Sequence, residues 1–263
     1  MLTVDNNYCG DARKLLSRLP DGCVDLVVTS PPYDNLRKYD NEQGTTWNRG
    51  MFEEVAAGLL RVLKDGGVVV WIVNDKTEKG GKTLTSLRQA VYFQDIGFTV
   101  NDVMVWRKTN TMPTVRQPRY PDEFEYMFVL VKGTKAKTFN PIMISCKCAG
   151  QKYDSTAKKM GGEDGRRHIS YNVNAEKVKG NVWDCAVAQN KTGHPAVYPQ
   201  RLIEDHISSW SNAGDLVLDP FMGSGTTALA SVKLGRHFLG FDISQDYTDM
   251  ANRRVSEYKE TLK

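Results

Sequence analysis

No apolar run in the 263 residues approaches the length of about 20 residues that a membrane-spanning helix needs. The first residues, MLTVDNNYCGDARK, include no apolar segment of the kind that marks a secretory signal peptide. Cysteines are few, five in number and without regular spacing, which excludes a disulfide framework and suits a reducing compartment. With 40% hydrophobic and 25% charged residues, the composition also excludes a disordered chain. We therefore expect a cytoplasmic globular protein.

The excess of positive charge is small and confined to one segment. The formal net charge is +4, but residues 133–189 alone carry +5 and the rest of the chain carries −1. This segment is rich in lysine, glycine and polar residues, and no regular element can be placed in it from the sequence. Aromatic side chains at Tyr153, Tyr171 and Trp183 are interleaved with the charges. An irregular stretch of this length is usually functional or disordered, and the aromatics favour an insert that is folded or ordered by a partner.

The rest of the chain alternates between strand and helix patterns. Apolar runs predict strands, and apolar residues three to four positions apart predict helices. Pro31 and Pro32 end the first strand, and Gly66 and Gly67 end the first helix. Strands alternating with helices on both sides of the insert predict an α/β fold with a doubly wound, mostly parallel sheet. The predicted strands are 25–30, 68–73, 98–106, 124–131, 215–219 and 237–243, and the predicted helices are 52–63, 199–209, 226–234 and 246–262.

Residues 219–227, DPFMGSGTT, follow one predicted strand and open the next helix; we call them the glycine turn. Gly223, Gly225 and Ala228 fit the glycine-rich turn of nucleotide-binding α/β folds. Glycines let the backbone approach a ligand, and the helix N-terminus offers unpaired N–H groups to an anion. Asp242 lies 23 residues after the first residue of the turn, where such folds place an acid on ribose hydroxyls. Alone, the pattern fits a dinucleotide, an adenosyl cofactor or an unliganded tight turn.

A second motif, Ser30-Pro31-Pro32-Tyr33, ends the first predicted strand; we call it the proline turn. Two consecutive prolines fix φ and remove two N–H donors, so the carbonyl groups here are held as acceptors. A rigid pair of acceptors beside an aromatic ring suits a planar heterocycle that bears an amino group. The simpler reading is that two prolines end a strand.

A metal site is not expected. Cys146, Cys148, His168 and Cys185 can be assembled into a set of zinc ligands, but their spacing matches no common zinc motif. We therefore predict no metal.

Together, the motifs resemble those of the DNA amino-methyltransferases of the permuted beta group. His194-Pro195-Ala196 and Tyr198 precede the glycine turn, as in that group, and the catalytic motif precedes the cofactor motif with a target-recognition region between them. The resemblance covers about three quarters of the chain, everything but the insert. It implies a Rossmann-like methyltransferase fold with circularly permuted motif order. The implied parts are a catalytic half at 1–132, a target-recognition insert at 133–189 and a cofactor-binding half at 190–263.

The resemblance also implies S-adenosylmethionine as cofactor and double-stranded DNA as partner. It leaves open a homodimer and a cognate restriction endonuclease that acts separately. The implied catalytic residues, which hold the target base, are Ser30, Pro31, Pro32 and Tyr33. The implied cofactor-binding residues are Asp11, His194, Pro195, Ala196, Tyr198, Asp219, Phe221, Gly223, Ser224, Gly225, Thr226, Thr227 and Asp242, with Asp11 on the adenine amino group. The basic residues expected to contact DNA are Arg37, Lys38, Arg107, Lys108, Arg116 and Arg119, and residues 34–47 are expected to close over the DNA.

The chemistry follows from the residue types. An exocyclic amino nitrogen is a poor nucleophile because its lone pair is delocalised into the ring. Acceptors at Ser30 Oγ and the Pro31 carbonyl would draw the nitrogen toward tetrahedral geometry and free the lone pair. The base must leave the duplex stack to reach such a pocket, where Tyr33 would stack on it. Methylation at carbon 5 of cytosine would instead need a nucleophilic cysteine, typically after proline, and the chain has no Pro-Cys pair.

Several alternatives stay open at this point. The resemblance favours cytosine N4 over adenine N6 as the target, because serine at the first position of the proline turn is commoner in the cytosine enzymes of that group. Structured RNA or a glutamine side chain is a second class of acceptor, against which the basic insert and the motif order argue. A nicotinamide-dependent oxidoreductase would leave Ser30-Pro31-Pro32-Tyr33 unexplained. A DNA-binding module without catalysis would not need that turn intact.

Overall fold

The computed structural model describes residues 2–32, 47–111, 119–158, 166–187 and 198–262. Within these ranges the chain forms fourteen strands and six helices. The strands are β1 (Asn6–Cys9), β2 (Val24–Thr29), β3 (Leu63–Val73), β4 (Thr77–Glu78), β5 (Gly81–Lys82), β6 (Phe98–Lys108), β7 (Phe124–Lys132), β8 (Met143–Ser145), β9 (Lys152–Lys158), β10 (Arg166–Asn172), β11 (Glu176–Val178), β12 (Val182–Cys185), β13 (Leu216–Asp219) and β14 (His237–Asp242). The helices are α1 (Ala12–Leu16), α2 (Arg49–Val62), α3 (Thr85–Asp95), α4 (Gln200–Trp210), α5 (Thr226–Lys233) and α6 (Gln245–Glu260).

The central sheet has eight strands in the order β1-β14-β13-β2-β3-β7-β6-β12. Every neighbouring pair is parallel except the two that involve β7, which runs antiparallel to β3 and β6. β2 and residues 68–73 of β3 are rich in Val, Leu and Ile and are mostly buried on both faces, as parallel strands in α/β proteins usually are. The predicted α/β fold with a mostly parallel sheet is confirmed.

Helices cover both faces of this sheet. Phe238 of β14 belongs to a core cluster with Ala228 of α5 and Val255 of α6. The next residue, Leu239, belongs to a larger cluster that takes apolar side chains from α1, α2 and α3. Successive residues of a strand point to opposite faces. The sheet is therefore doubly wound.

The predicted role of Gly66 and Gly67 is wrong. Helix α2 ends at Val62, and the chain passes directly into β3. Both glycines lie inside that strand, where backbone and side chains approach closely. A Cβ on Gly66, which has φ +75°, would lie 2.9 Å from Lys137 Cβ, and one on Gly67 would lie 2.8 Å from Leu63 Cγ. Gly66 is needed because Lys137 lies against it, and Gly67 because Leu63 of β3 does; neither glycine ends the helix.

Residues 133–189, in which no element could be placed from the sequence, contain strands. Four of the strands in this stretch form two antiparallel ribbons, β9 with β10 and β8 with β11. Residues Pro141–Gly180, which include both ribbons, form a compact unit of their own, and Met1–Asn140 with Asn181–Lys263 form the other. The alternation of apolar and polar residues that reveals a strand is absent here, because most side chains on both faces of the ribbons are exposed. Strand β12, which lies within the predicted insert, pairs with β6 in the central sheet.

None of the helices in the described ranges has the length and apolar character that a membrane crossing requires.

Candidate active site

Four predicted site residues lie at the carboxyl ends of neighbouring parallel strands, on the same edge of the central sheet. Strands β1, β14, β13 and β2 are consecutive and parallel. Asp242 ends β14, Asp219 ends β13, Ser30 follows β2, and Asp11 comes two residues after β1. Carboxyl ends of parallel strands lie at the same edge, and ligands of open α/β sheets bind there. The fold therefore places the glycine turn and the proline turn side by side.

The glycine turn has the backbone that its sequence predicts. Gly225 precedes α5 with φ +76°, and Gly223 has φ +49°. A Cβ on Gly225 would lie 2.5 Å from Ala251 Cβ in α6, so a larger residue would force the turn away from that helix. The Gly223 N–H donates to Asp242 Oδ2 at 3.0 Å, which joins this turn to the end of the neighbouring strand. Glycine is required here both for left-handed backbone and for close helix packing.

Asp242 is held by backbone groups. Its Oδ2 accepts from Gly223 N–H, and its Oδ1 accepts from Ser244 N–H at 2.9 Å. Burial raises the pKa of Asp242, and these backbone hydrogen bonds partly oppose the rise. A buried carboxylate in this position favours a ligand that brings hydroxyl donors or positive charge.

Asp219 is more deeply buried, at 1% exposure. Its Oδ1 accepts from Thr29 Oγ1 at 2.7 Å and from Phe221 N–H at 3.1 Å, and its Oδ2 accepts from Thr227 Oγ1 at 2.6 Å. Burial raises the pKa of Asp219 to about 6 despite these three donors, and the nearby charge of Asp242 adds to the rise. The carboxylate is thus a buried group that links β2, the glycine turn and α5.

Asp11 caps helix α1 and is paired with a neighbour. Its carboxylate accepts from Arg13 N–H at 2.9 Å and from the Arg13 guanidinium at 2.5 and 3.0 Å. The side-chain hydrogen bonds from Arg13 lower the pKa of Asp11. A ligand amino group would have to share this carboxylate with Arg13, so the role predicted for Asp11 stays a prediction.

Arg254 is a residue of this region that sequence reasoning missed. Its guanidinium extends from α6 and donates to the carbonyl oxygen of Ser224 and, at 3.1 Å, to Ser224 Oγ. The guanidinium is half-buried, and burial lowers the pKa of Arg254. Arg254 therefore links the middle of the glycine turn to α6. Nothing in the local sequence pairs a residue in the last helix with this turn.

Aromatic rings surround Phe221 of the glycine turn. The Trp47 ring meets the Phe221 ring edge to face at 5.1 Å, and the Trp71 ring lies 6.3 Å from it. Trp71 is fully buried and donates from Nε1 to Gln89 Oε1 at 2.9 Å. Phe221 is therefore packed from the side of β3.

The proline turn is described as far as Pro32. Ser30 is half-buried, Pro31 is buried and Pro32 is half-buried. Ser30 directly follows Thr29, whose hydroxyl is bonded to Asp219. Tyr198 is half-buried just before α4. Predicted site residues that lie outside the described residues are Tyr33, Arg37, Lys38, Arg116, His194, Pro195 and Ala196, and most of the loop 34–47 lies outside them too.

The basic residues predicted to contact DNA have protein partners. Arg107, at the end of β6, forms a two-point ion pair with Asp184 at 2.6 and 2.7 Å. Lys108 Nζ lies 2.7 Å from Glu125 Oε1, and both side chains are largely buried. Arg119 donates to Thr77 Oγ1 at 2.6 Å and to the Gly80 carbonyl at 3.1 Å. A DNA phosphate would compete with these partners, most severely at Lys108.

In the part of the chain that the structure describes, no group of three or more His, Cys, Asp or Glu residues could hold a metal ion.

Comparison with known proteins decides the family. The family model described as DNA methylase matches residues 24–253. The chain belongs to this DNA methylase family. It is 44% identical over 249 residues to the orphan methyltransferase M.BamHII of Bacillus amyloliquefaciens, covering 90% of this chain and 91% of that protein. It is 31% identical over 260 residues to the type II methyltransferase M.BglII of Bacillus subtilis, covering 95% of this chain and 68% of the relative.

The fold of this DNA methylase is also found among solved structures. The crystal structure of the M1.HpyAVI–SAM complex matches with a TM-score of 0.63 and 24% identity, covering 95% of this chain and 98% of that chain. The family comprises DNA amino-methyltransferases that act on cytosine N4 or adenine N6 and use S-adenosylmethionine. The chain is accordingly a DNA amino-methyltransferase of this class.

The residues at the sheet edge fit that cofactor. S-adenosylmethionine combines a positive sulfonium, an ammonium group and ribose hydroxyls. Asp219 and Asp242 are buried carboxylates whose pKa values are both raised by burial, so a cationic ligand would stabilise their ionised forms. The glycine turn leads into the N-terminus of α5, whose first N–H groups can face a ligand.

Proposed function

We propose that this methylase transfers a methyl group to the exocyclic amino nitrogen of a base extruded from double-stranded DNA, with cytosine N4 favoured over adenine N6. One observation carries the proposal: the proline turn follows β2 directly beside the glycine turn, and Thr29 is hydrogen-bonded to Asp219 of that turn. An amino-bearing base held at Ser30 would therefore lie next to a cofactor held at the glycine turn.

Particular residues would hold the cofactor. Asp242 would accept hydrogen bonds from the ribose hydroxyls, and the backbone of Gly223 and Gly225 would lie against the cofactor. Asp11 would reach the adenine amino group while keeping its Arg13 contact. When bound, S-adenosylmethionine would supply an electrophilic methyl group and leave as the neutral thioether, and the methylated nitrogen would release one of its two protons.

The proline turn would activate the acceptor. Ser30 Oγ and the Pro31 carbonyl would accept the two N–H bonds of the amino group, which localises the nitrogen lone pair. Proline at positions 31 and 32 leaves no backbone N–H to compete for these acceptors. No covalent bond between enzyme and base is needed. Tyr33 would stack on the extruded base and replace the stacking that the base had in the duplex.

The target base is tested by direct chemical identification. The purified protein is incubated with S-adenosylmethionine and duplex DNA, the DNA is digested to nucleosides, and modified nucleosides are identified by mass spectrometry. We expect N4-methyldeoxycytidine. N6-methyldeoxyadenosine alone would refute the preference for cytosine, and methylation of RNA but not of duplex DNA would refute the substrate class.

Residues 133–189 are proposed as the target-recognition region because they carry the net excess of positive charge of the chain. Replacing Lys147, Lys152, Lys177 and Lys179 together by alanine should weaken DNA binding. The slope of log K against log salt should fall by roughly 0.9 for each phosphate that the protein no longer neutralises, since fewer counterions are released. DNA affinity measured by fluorescence anisotropy at several salt concentrations gives both values.

The matched control replaces four exposed basic residues on or next to helices, Lys14, Arg18, Arg88 and Arg253, by alanine. It changes the net charge equally and should leave the slope nearly unchanged. Equal loss of affinity in both variants would show that net charge alone, and not this segment, determines binding. A homodimer and a separately acting endonuclease stay predictions.

A further inference from the structure

We propose that Thr29 is a positioning residue for methyl transfer: its hydrogen bond to the buried Asp219 carboxylate fixes the proline turn relative to the glycine turn. The inference rests on the proposed function, since it assigns the base to one turn and the cofactor to the other. Thr29 immediately precedes the proline turn, but its bond to Asp219 does not follow from the motifs themselves.

The first step is the geometry of the link. Thr29 is the last residue of β2 and is fully buried, and the next residue is Ser30. Its Oγ1 donates to Asp219 Oδ1 at 2.7 Å, a short bond between a hydroxyl and a carboxylate. The strand register between β2 and β13 pairs Leu26 with Val217 and Val27 with Leu218. Beyond those pairs, the Thr29 side chain continues the connection to the end of β13.

The second step is that Asp219 is itself fixed to the glycine turn. Its Oδ2 accepts from Thr227 Oγ1 in the first turn of α5, and Phe221 N–H donates to Oδ1. These two contacts keep Asp219 in place when the Thr29 hydroxyl is removed. Removing the Thr29 hydroxyl should therefore loosen the proline turn relative to the glycine turn, while the glycine turn stays ordered and β2 keeps its pairing with β3.

The third step separates positioning from cofactor binding. Thr29 contacts Asp219, the first residue of the glycine turn, from the side of β2. The other bonds that fix this turn, from Phe221 N–H and Thr227 Oγ1 to Asp219 and from Gly223 N–H to Asp242, do not involve Thr29. Loss of the Thr29 bond should thus alter the placement of the base more than the affinity for S-adenosylmethionine. A misplaced reacting group lowers turnover steeply, because catalysis depends on near-attack geometry.

The fourth step supplies a signature that simple loss of stability would not produce. The hydrogen bond from Thr29 lowers the pKa of Asp219, whereas burial and the charge of Asp242 raise it. Among the described residues, Asp242 is the one charged group that shifts this pKa. Without the hydroxyl, that pKa should rise. Protonation of Asp219 would then begin at higher pH and shift the acid limb of the turnover profile upward.

The test compares Thr29→Val, which removes the hydroxyl and keeps the β-branched shape, with Thr29→Ser, which keeps the hydroxyl. We expect Thr29→Val to lower kcat by roughly tenfold, the effect of about 1.4 kcal/mol in the barrier. The dissociation constant for S-adenosylmethionine, from calorimetry, should change by less than about threefold, which corresponds to about 0.7 kcal/mol. Thr29→Ser should retain most of the turnover of the unaltered protein.

Thr248→Val is the matched control, because Thr248 is also buried but its hydroxyl donates to the Ser244 carbonyl. It should change neither kcat nor the pH profile. Carbon-13 NMR of aspartate-labelled protein without cofactor follows the Asp219 carboxyl directly, and its titration should move to higher pH in Thr29→Val alone.

Two failures are distinguishable. The positioning role would be overturned if the unaltered protein methylates DNA and Thr29→Val leaves kcat unchanged. It would also be overturned if Thr29→Val and Thr248→Val lose kcat equally and the acid limb of the pH profile does not shift. An unaltered protein that binds S-adenosylmethionine but methylates no DNA base would refute the proposed function, and the positioning role with it.

Discussion

Replacing Asp219 by asparagine should make the cofactor-free protein more stable at neutral pH. The carboxylate is buried and ionised at pH 7, held by two hydroxyls and one backbone N–H without a cation bonded to it among the described residues. Asparagine has the same shape. Its amide oxygen can accept from Thr29 and Phe221 N–H, and Thr227 Oγ1 can turn its proton away and accept from the amide N–H. The variant therefore keeps the contacts and loses the buried charge.

The pKa gives the magnitude. Asp219 titrates at about 6 in the folded protein against 3.8 in its ordinary state. Because the folded value is raised, the unfolded chain loses its proton first as pH rises. Stability contributed by this group is present below pH 3.8 and is lost by the time pH exceeds about 6. At pH 7 the ionised group costs about 3 kcal/mol, which is the most that Asp219→Asn can recover.

Urea unfolding of both proteins at pH 7.5 and near pH 4.5 measures this difference. We expect Asp219→Asn to raise the free energy of unfolding by up to about 3 kcal/mol at pH 7.5 with unchanged m, and by much less at pH 4.5. The comparison between the two pH values is an internal control for any effect of the amide itself. A variant that is less stable at pH 7.5, or whose advantage does not shrink on acidification, would refute the reasoning.

Two further predictions concern the division of roles at the site. Asp242→Ala should weaken S-adenosylmethionine binding, measured by calorimetry. Tyr33→Ala should lower turnover, measured by single-turnover kinetics, and leave cofactor binding nearly intact. Equal loss of cofactor binding in both variants would contradict this assignment of roles. Arg254→Met removes two hydrogen bonds to Ser224 and should weaken cofactor binding by roughly tenfold. Arg253→Met, at an exposed neighbouring position, is the control, and equal dissociation constants for the two variants would exclude a role for Arg254.

The parts of the fold that are visible in the sequence are those with a sharp local pattern. Strands β2 and β13 are apolar runs that end abruptly at a motif, so their ends, and therefore the site, could be placed from the sequence. The ribbons β9–β10 and β8–β11 could not, because mostly exposed side chains on both faces leave no apolar alternation.

The contacts that organise the site depend on residues far apart in the chain. Thr29 and Asp219 are 190 positions apart, and Arg254 and Ser224 are 30 apart. Local patterns carry no information on which buried hydroxyl meets which carboxylate, since the pairing arises only when β2 and β13 become neighbours. The motifs therefore predicted the chemistry at the sheet edge but not its supporting hydrogen bonds.

The most direct test of the central claim is sequencing that reports modified positions in DNA from cells that express the protein, with Ser30→Ala as the inactive comparison. We predict N4-methylcytosine at one defined sequence context, absent in Ser30→Ala, with protein of both forms folded to the same extent. Methylation at carbon 5 of cytosine, or no new modification from a protein that binds S-adenosylmethionine, would contradict the proposed methylation of an exocyclic amino group.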